Sequence, residues 1–167
     1  MVDYTKVTKQ GYTVKKTYLD TSGGISTILA VIDRGDFGVP EHRWMWAFAY
    51  HFEDGTWGQG HYDYESMNSA IAGLKKRYPR ARLIDPKSIL RVETKEGSFG
   101  KFDNLNDARK VMYRIAKHRK ENTFIANHVG TYLYGAKWDE KSQKCYMSEP
   151  GTRKVWRLYA DGHIVLL

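Results

Sequence analysis

The sequence predicts an α+β fold: two β-hairpin–helix units, with an N-terminal hairpin before them and a C-terminal antiparallel β-meander after them. Three observations carry this. Residues 44–53 alternate aromatic and smaller side chains with strict period two, as a strand does. Two later stretches, Met67–Leu74 and Ala108–Ala116, space apolar residues at helical intervals, and each runs into a basic tail. The turn glycines Gly55 and Gly97 stand 42 residues apart and the helical stripes 41 apart, so the hairpin–helix pattern reads as an internal duplication.

The elements follow in order. Tyr12–Leu19 and Ile25–Ile32 form the first hairpin, around the turn Thr21-Ser22-Gly23-Gly24. Residues 33–43 are a loop, by their Gly, Pro and Asp content. The strand from Trp44 turns at Asp54-Gly55, a dipeptide suited to a type I′ turn. A two-residue turn there sets Phe52 opposite Trp57, Phe48 opposite His61 and Trp46 opposite Asp63. One face is then aromatic. The other centres on Ala47, Ala49, Gly58 and Gly60, where small residues would admit a helix. That helix carries Met67, Ala70, Ile71 and Leu74, is capped by Asp63 or Ser66, and ends before Pro79. The second unit repeats this with Ile89–Thr94, a Glu96-Gly97 turn, Ser98–Phe102, and a helix capped by Asn104 with Asp107 at its third position. Residues 123–130 read as a helical turn ended by Gly130. Four strands close the chain: Thr131–Trp138, Lys144–Met147, Lys154–Tyr159 and, after Asp161-Gly162, His163–Leu167. With no Pro- or Ser-rich linker, residues 1–167 read as one domain, with sub-units 12–43, 44–82, 83–122 and 131–167.

Composition narrows the function classes. The longest apolar run, Trp44–Tyr50, is seven residues, against roughly 18 for a membrane span. No secretory signal is expected from the first residues. The single cysteine, Cys145, leaves no internal disulfide and no multi-cysteine zinc site, which suits a reducing, cytoplasmic setting. The net charge of +8 is concentrated. Lys75, Lys76, Arg77, Arg80 and Arg82 fall in one eight-residue window without an acid. Arg109, Lys110, Arg114, Lys117, Arg119 and Lys120 fall in a second, of twelve residues, also without an acid. Clustered bases are the footprint of a polyanion. They also suit helix C-termini through the helix dipole, so a solvated helix end is the competing reading. On the second helix Tyr113 sits among the bases, where it could stack on a base or sugar.

Gly100-Lys101-Phe102-Asp103-Asn104 followed by Ala108 resembles the strand-to-helix junction of AP2-type DNA-binding domains, and is similar to the arm-binding domain of phage integrases. Tyr62-Asp63 with Met67 and Ala70 echoes it. The resemblance implies a small sheet lying in the DNA major groove with an alanine-bearing helix packed behind. Those families carry Arg and Trp on the exposed sheet face. This chain offers Arg43, Arg91 and Lys101, so no base-reading residues are carried over.

The functional expectation is a small basic, non-catalytic DNA- or RNA-binding protein, an accessory protein of a phage or mobile element. It needs no cofactor or metal and has no membrane partner. Its contact residues are the eleven bases named above and Tyr113. One alternative is a protein-binding inhibitor or adaptor that contacts a host protein, or a second copy of itself, through Trp44, Trp46, Phe48, Tyr50 and Trp57. Another is a metal-dependent nuclease. Asp85, Glu93 and Lys95 match the acid-x7-acid-x-Lys spacing in which two carboxylates on adjacent strands hold Mg²⁺ and the lysine orients water. The histidines assemble no site by spacing: His51 and His61 fall on opposite faces of their hairpin, and His42, His118, His128 and His163 are scattered.

Overall fold

The structure is a computed structural model, and it describes residues 12–23, 26–35, 40–48 and 61–167. The chain forms two compact units, Met1–Lys87 and Ser88–Leu167. Their boundary cuts across the four sub-units expected from sequence: the first two share one sheet and the last two share another. Both sheets are antiparallel throughout, and each carries a helix. The α+β class and the closing meander are as the sequence predicts.

In the first unit β1 (Thr13–Asp20), β2 (Thr27–Asp33), β3 (Trp44–Phe48) and β4 (His61–Tyr64) run as a meander. Helix α1 (Met67–Arg77) follows, and β5 (Arg82–Ile84) returns to pair with β1, giving the order β4-β3-β2-β1-β5. The first hairpin is tied by Asp20, whose carboxylate accepts from Ser22 N and Ser22 Oγ, both at 3.0 Å. β2 is central and almost wholly buried. Ser66 caps α1 by accepting from Ser69 N at 3.1 Å. The helix stops at Arg77 because Pro79 bars continuation.

Two expectations about the β3–β4 hairpin are corrected. Trp46 lies opposite His61, not Asp63, and a bulge separates this pair from Trp44↔Tyr64. The Asp54-Gly55 turn itself, with Tyr50, His51, Phe52, Trp57, Gly58 and Gly60, lies outside the described residues. The helix also packs on the aromatic face rather than the small-residue face. Trp46, Leu29, Val31 and Tyr18 bury against Ala70 and Leu74. Tyr78 stands edge-on to both Trp46 and Phe48, 5.8 Å from each. The small residue that permits close approach is on the helix: a Cβ at Gly73 would come within 2.9 Å of Tyr64 Cε1 and closer to its hydroxyl. Ala30, Ile32, Met45 and Ala47 are buried on the opposite face of the sheet.

In the second unit β6 (Leu90–Thr94) and β7 (Gly97–Phe102) form a hairpin, followed by helix α2 (Leu105–Arg119). β8 (Thr123–Ala126), β9 (Tyr132–Asp139), β10 (Lys144–Ser148), β11 (Val155–Leu158) and β12 (Ile164–Leu166) complete a seven-stranded sheet in the order β12-β11-β10-β9-β8-β6-β7. Residues 123–126 are thus a strand between β6 and β9, not a helical turn. The β6–β7 loop is Lys95-Glu96, and Gly97 (φ +149°) already pairs with Thr94. The core lies under α2: Ala108, Met112 and Ala116 meet Val92, Ile125, Ala136, Trp138, Cys145, Met147 and Leu158. Burial pushes the Cys145 thiol up to about 11, which leaves it a neutral, packed side chain.

The two hairpin–helix units are locally alike but spaced differently from the sequence reading. Their caps, Ser66 and Asn104, are 38 apart, as are the fully buried Ala70 and Ala108, and Leu74 and Met112. Their return strands also differ. β5 crosses to β1, whereas β8 lands beside β6. Among the described residues no helix is long and apolar enough to cross a membrane.

Candidate nucleic-acid interface

Helix α2 is built by its cap and its apolar stripe. Asn104 Oδ1 accepts from Asn106 N at 2.8 Å and from Asp107 N at 3.2 Å. That satisfies donors the first turn leaves orphaned. With Ala108, Met112 and Ala116 against the sheet, Lys110, Arg114 and Lys117 follow at i, i+4 and i+7 on the outer side. Arg114 and Lys117 are exposed and meet no carboxylate among the described residues. The Lys117 ammonium lies over the rings of Tyr113, at 5.9 Å, and Trp138, at 5.6 Å.

The remaining bases of this cluster are already engaged. Lys110 pairs with Asp107 at 3.0 Å, Arg119 with Glu96 at 3.0 Å and Lys120 with Glu140 at 2.7 Å. The segment without acids in sequence is therefore supplied with acids by the fold. Lys120 holds Glu140 below its ordinary carboxylate range, chiefly through that hydrogen bond. Lys120 ends the helix in the left-handed region (φ 59°) with its ammonium 4.8 Å from the Trp138 ring. Arg119 also lies over Phe99, at 4.6 Å. Arg109 is half-buried, its guanidinium 5.8 Å from the Tyr134 ring and its Nε without a hydrogen-bond partner. Tyr113 is no free stacking platform: it is half-buried, edge-on to Trp138 at 6.0 Å.

The first cluster divides likewise. Lys75 donates to the Ala81 carbonyl and lies 5.4 Å from the Tyr18 ring, so it stitches α1 to β5. Arg82 is an exposed residue of β5, a strand the sequence reading did not resolve. Lys76, Arg77 and Arg80 are exposed and meet no carboxylate among the described residues.

Of the interface alternative only Trp44, Trp46 and Phe48 are among the described residues, and the nuclease alternative draws on residues of both units. Trp46 is 2% exposed and Trp44 and Phe48 pack beside it under α1, so this face is core. Tyr50 and Trp57 lie outside the described residues. The nuclease motif needs its two acids on adjacent strands. Asp85 instead follows β5 in the first unit, where it accepts from Lys87 N at 2.9 Å. Glu93 is on β6 of the other sheet, 3.1 Å from Arg91 Nε, and Lys95 is in a loop. Among the described residues no group of three or more His, Cys, Asp or Glu is placed to hold a metal. Arg43, a candidate sheet base, is bound to Asp33.

One surface escaped the sequence reading. The face of the seven-stranded sheet opposite α2 carries Phe124, Tyr132, Lys137, Tyr146, Arg157 and Val155. Cross-strand register aligns Lys137, Tyr146 and Arg157 in one row, and Phe124, Gly135, Ser148 and Val155 in the next. A groove of about 390 Å³ runs over Gly135 and Ser148, lined by Phe124, Lys137, Tyr146 and Val155. The signal was present as alternation along β9 and β10, but it became a surface only once β8 was recognised as the strand joining Phe124 to that row.

Comparison with protein-family models, with curated proteins and with solved structures finds no match.

Proposed function

We propose that the protein binds nucleic acid without catalysis, neutralising phosphates with the outer row of α2. The observation that carries this is the line Lys110–Arg114–Lys117. Arg114 and Lys117 are exposed and unpaired with any described carboxylate, on a rigid helix whose other side is core. Lys110 stands in the same row but is paired with Asp107 at 3.0 Å, so it contributes only where phosphate displaces that acid. Lys76, Arg77 and Arg80 supply a second exposed cluster in the first unit. The short likeness to phage-integrase arm-binding domains is the reason for reading it as an accessory protein of a phage or mobile element, and the single cysteine is the reason for reading its setting as cytoplasmic.

The test is charge reversal. Lys110→Glu/Arg114→Glu/Lys117→Glu should lower affinity for duplex DNA or RNA by at least about tenfold at about 50 mM salt, where phosphate contacts are strong. All three side chains are on the solvent side of the helix, so the circular dichroism spectrum should not change. Unchanged affinity in a folded variant would remove the proposal.

A further inference from the structure

We propose that the open face of the seven-stranded sheet is a second site, which takes a single strand of nucleic acid by stacking bases in the groove over Gly135 and Ser148. The proposal rests on the nucleic-acid reading for its class of ligand, and extends it to a surface on the other side of the sheet from α2.

The argument begins with what an exposed sheet face normally carries: polar side chains facing water. This one carries aromatic rings. Phe124 and Tyr132 are stacked, with centroids 4.8 Å apart and planes at 23°, and Tyr132 is 48% exposed. A bulge between Ile125 and Ala126 brings Tyr132 level with Phe124. The Phe124 ring leans over Gly135, where a Cβ would stand 3.4 Å from its edge. Gly135 and Ser148 are directly paired, so two small residues form the floor between taller walls. Phe124 and Tyr146 both line the resulting groove. Its volume falls within the roughly 300–1,000 Å³ of small-ligand sites.

Charge selects the occupant. The row Lys137–Tyr146–Arg157 carries two cations, and the acid on the row through Phe124, Glu93 on β6, is 3.1 Å from Arg91 Nε. A ligand with flat apolar faces and a regularly spaced negative backbone matches rings in one row and cations in the next. A single strand has both features available. A duplex has its bases already stacked and offers this face mainly phosphates.

The experiment uses the full chain and a ten-nucleotide single strand containing 2-aminopurine, whose emission is quenched on stacking. Binding and quenching are followed in the wild type, in Phe124→Ala, in Ser148→Phe and in the α2 charge-reversal variant, beside binding of a duplex. Ser148 is exposed, so Ser148→Phe fills the groove without entering the core and guards against a Phe124→Ala variant that fails to fold. The expected result is quenching in the wild type and a loss of about tenfold in single-strand affinity in each groove variant, with duplex affinity unchanged. Wild-type single-strand affinity in both groove variants, or binding without quenching, overturns the proposal. If that occurs while charge reversal abolishes duplex binding, only the α2 reading stands. If groove variants lose the single strand while charge reversal leaves the duplex bound, only the groove stands. Sedimentation showing a dimer that Ser148→Phe dissociates, with no single strand bound, would make the face a self-interface and also overturn the proposal.

Discussion

Asp33 closes the loop that leads from β2 into β3. It accepts from Arg43 Nε at 2.8 Å, from Arg43 Nη2 at 2.9 Å and from Gly35 N at 2.9 Å. The Arg43 hydrogen bonds hold its carboxyl below the ordinary carboxylate range, against the opposing effect of burial. A carboxylate depressed in the folded state contributes stability that is present above the unfolded value near 3.9 and is lost as pH falls through the lower folded value. Asp33→Asn should therefore cost about 1–3 kcal/mol at neutral pH. The difference from wild type should shrink as urea melts are repeated below pH 4. A cost that stays constant with pH would assign the loss to packing instead. A second residue-scale prediction concerns Gly162 (φ +85°), in the turn between β11 and β12. A Cβ there would lie 2.5 Å from the Asn106 carbonyl oxygen, whereas at Gly151 (φ +77°) it meets nothing within 4 Å. Both Gly→Ala changes incur the left-handed backbone penalty of about 1 kcal/mol. Only Gly162→Ala also pushes the turn off the first turn of α2, so it should be the more destabilising in urea denaturation. Equal losses would mean the turn moves freely.

At the scale of elements, α1 is held by few contacts of high quality. Leu74 is fully buried between β2 and β3, among Leu29, Val31 and Trp46. Leu74→Ala should cost about 2–5 kcal/mol, and the spread depends on how far Trp46 and Tyr78 collapse into the space. Thermal melts would measure it; a loss below about 1 kcal/mol would show a loosely packed helix. Elements such as this were legible in sequence because one period ran through them. The strands from Thr131 onward were legible for the same reason, bounded by turn residues. β5 and β8 were not. β5 is three residues, its exposed Arg82 and Leu83 giving no alternation, and it exists because β1 offers it an edge. β8 begins two residues after a run of bases and is fixed from both sides by β6 and β9. The face on which α1 packs was misread for a related reason. Taken alone the hairpin reads as two strands, whereas it is the margin of a five-stranded sheet with both faces buried.

At the scale of the whole molecule, the question is how much of the charge is available. Sequence shows eleven bases in two windows without acids, and a linear window cannot show which distant acids the fold returns to them. Asp107, Glu96 and Glu140 return to three of those bases, Lys75 is spent on a carbonyl, Arg109 lies against the Tyr134 ring, and Arg82 is engaged on β5. Arg114, Lys117, Lys76, Arg77 and Arg80 are left exposed without a described acidic partner. Counterion release makes this countable, because log K falls with log salt at about −0.9 per duplex phosphate neutralised. Eleven active bases would give a slope near −10, and five would give about −4 to −5. The structure predicts the shallower value, measured for duplex DNA between about 50 and 200 mM salt. A slope near −7 would mean that phosphate displaces Asp107, Glu96 and Glu140 from their partners. Those pairs are half-exposed and individually weak, so Glu96→Gln and Glu140→Gln distinguish the two cases. If the pairs hold in the complex, neutralising the acids frees two more cations and steepens the slope by about two. If they open, the slope does not change.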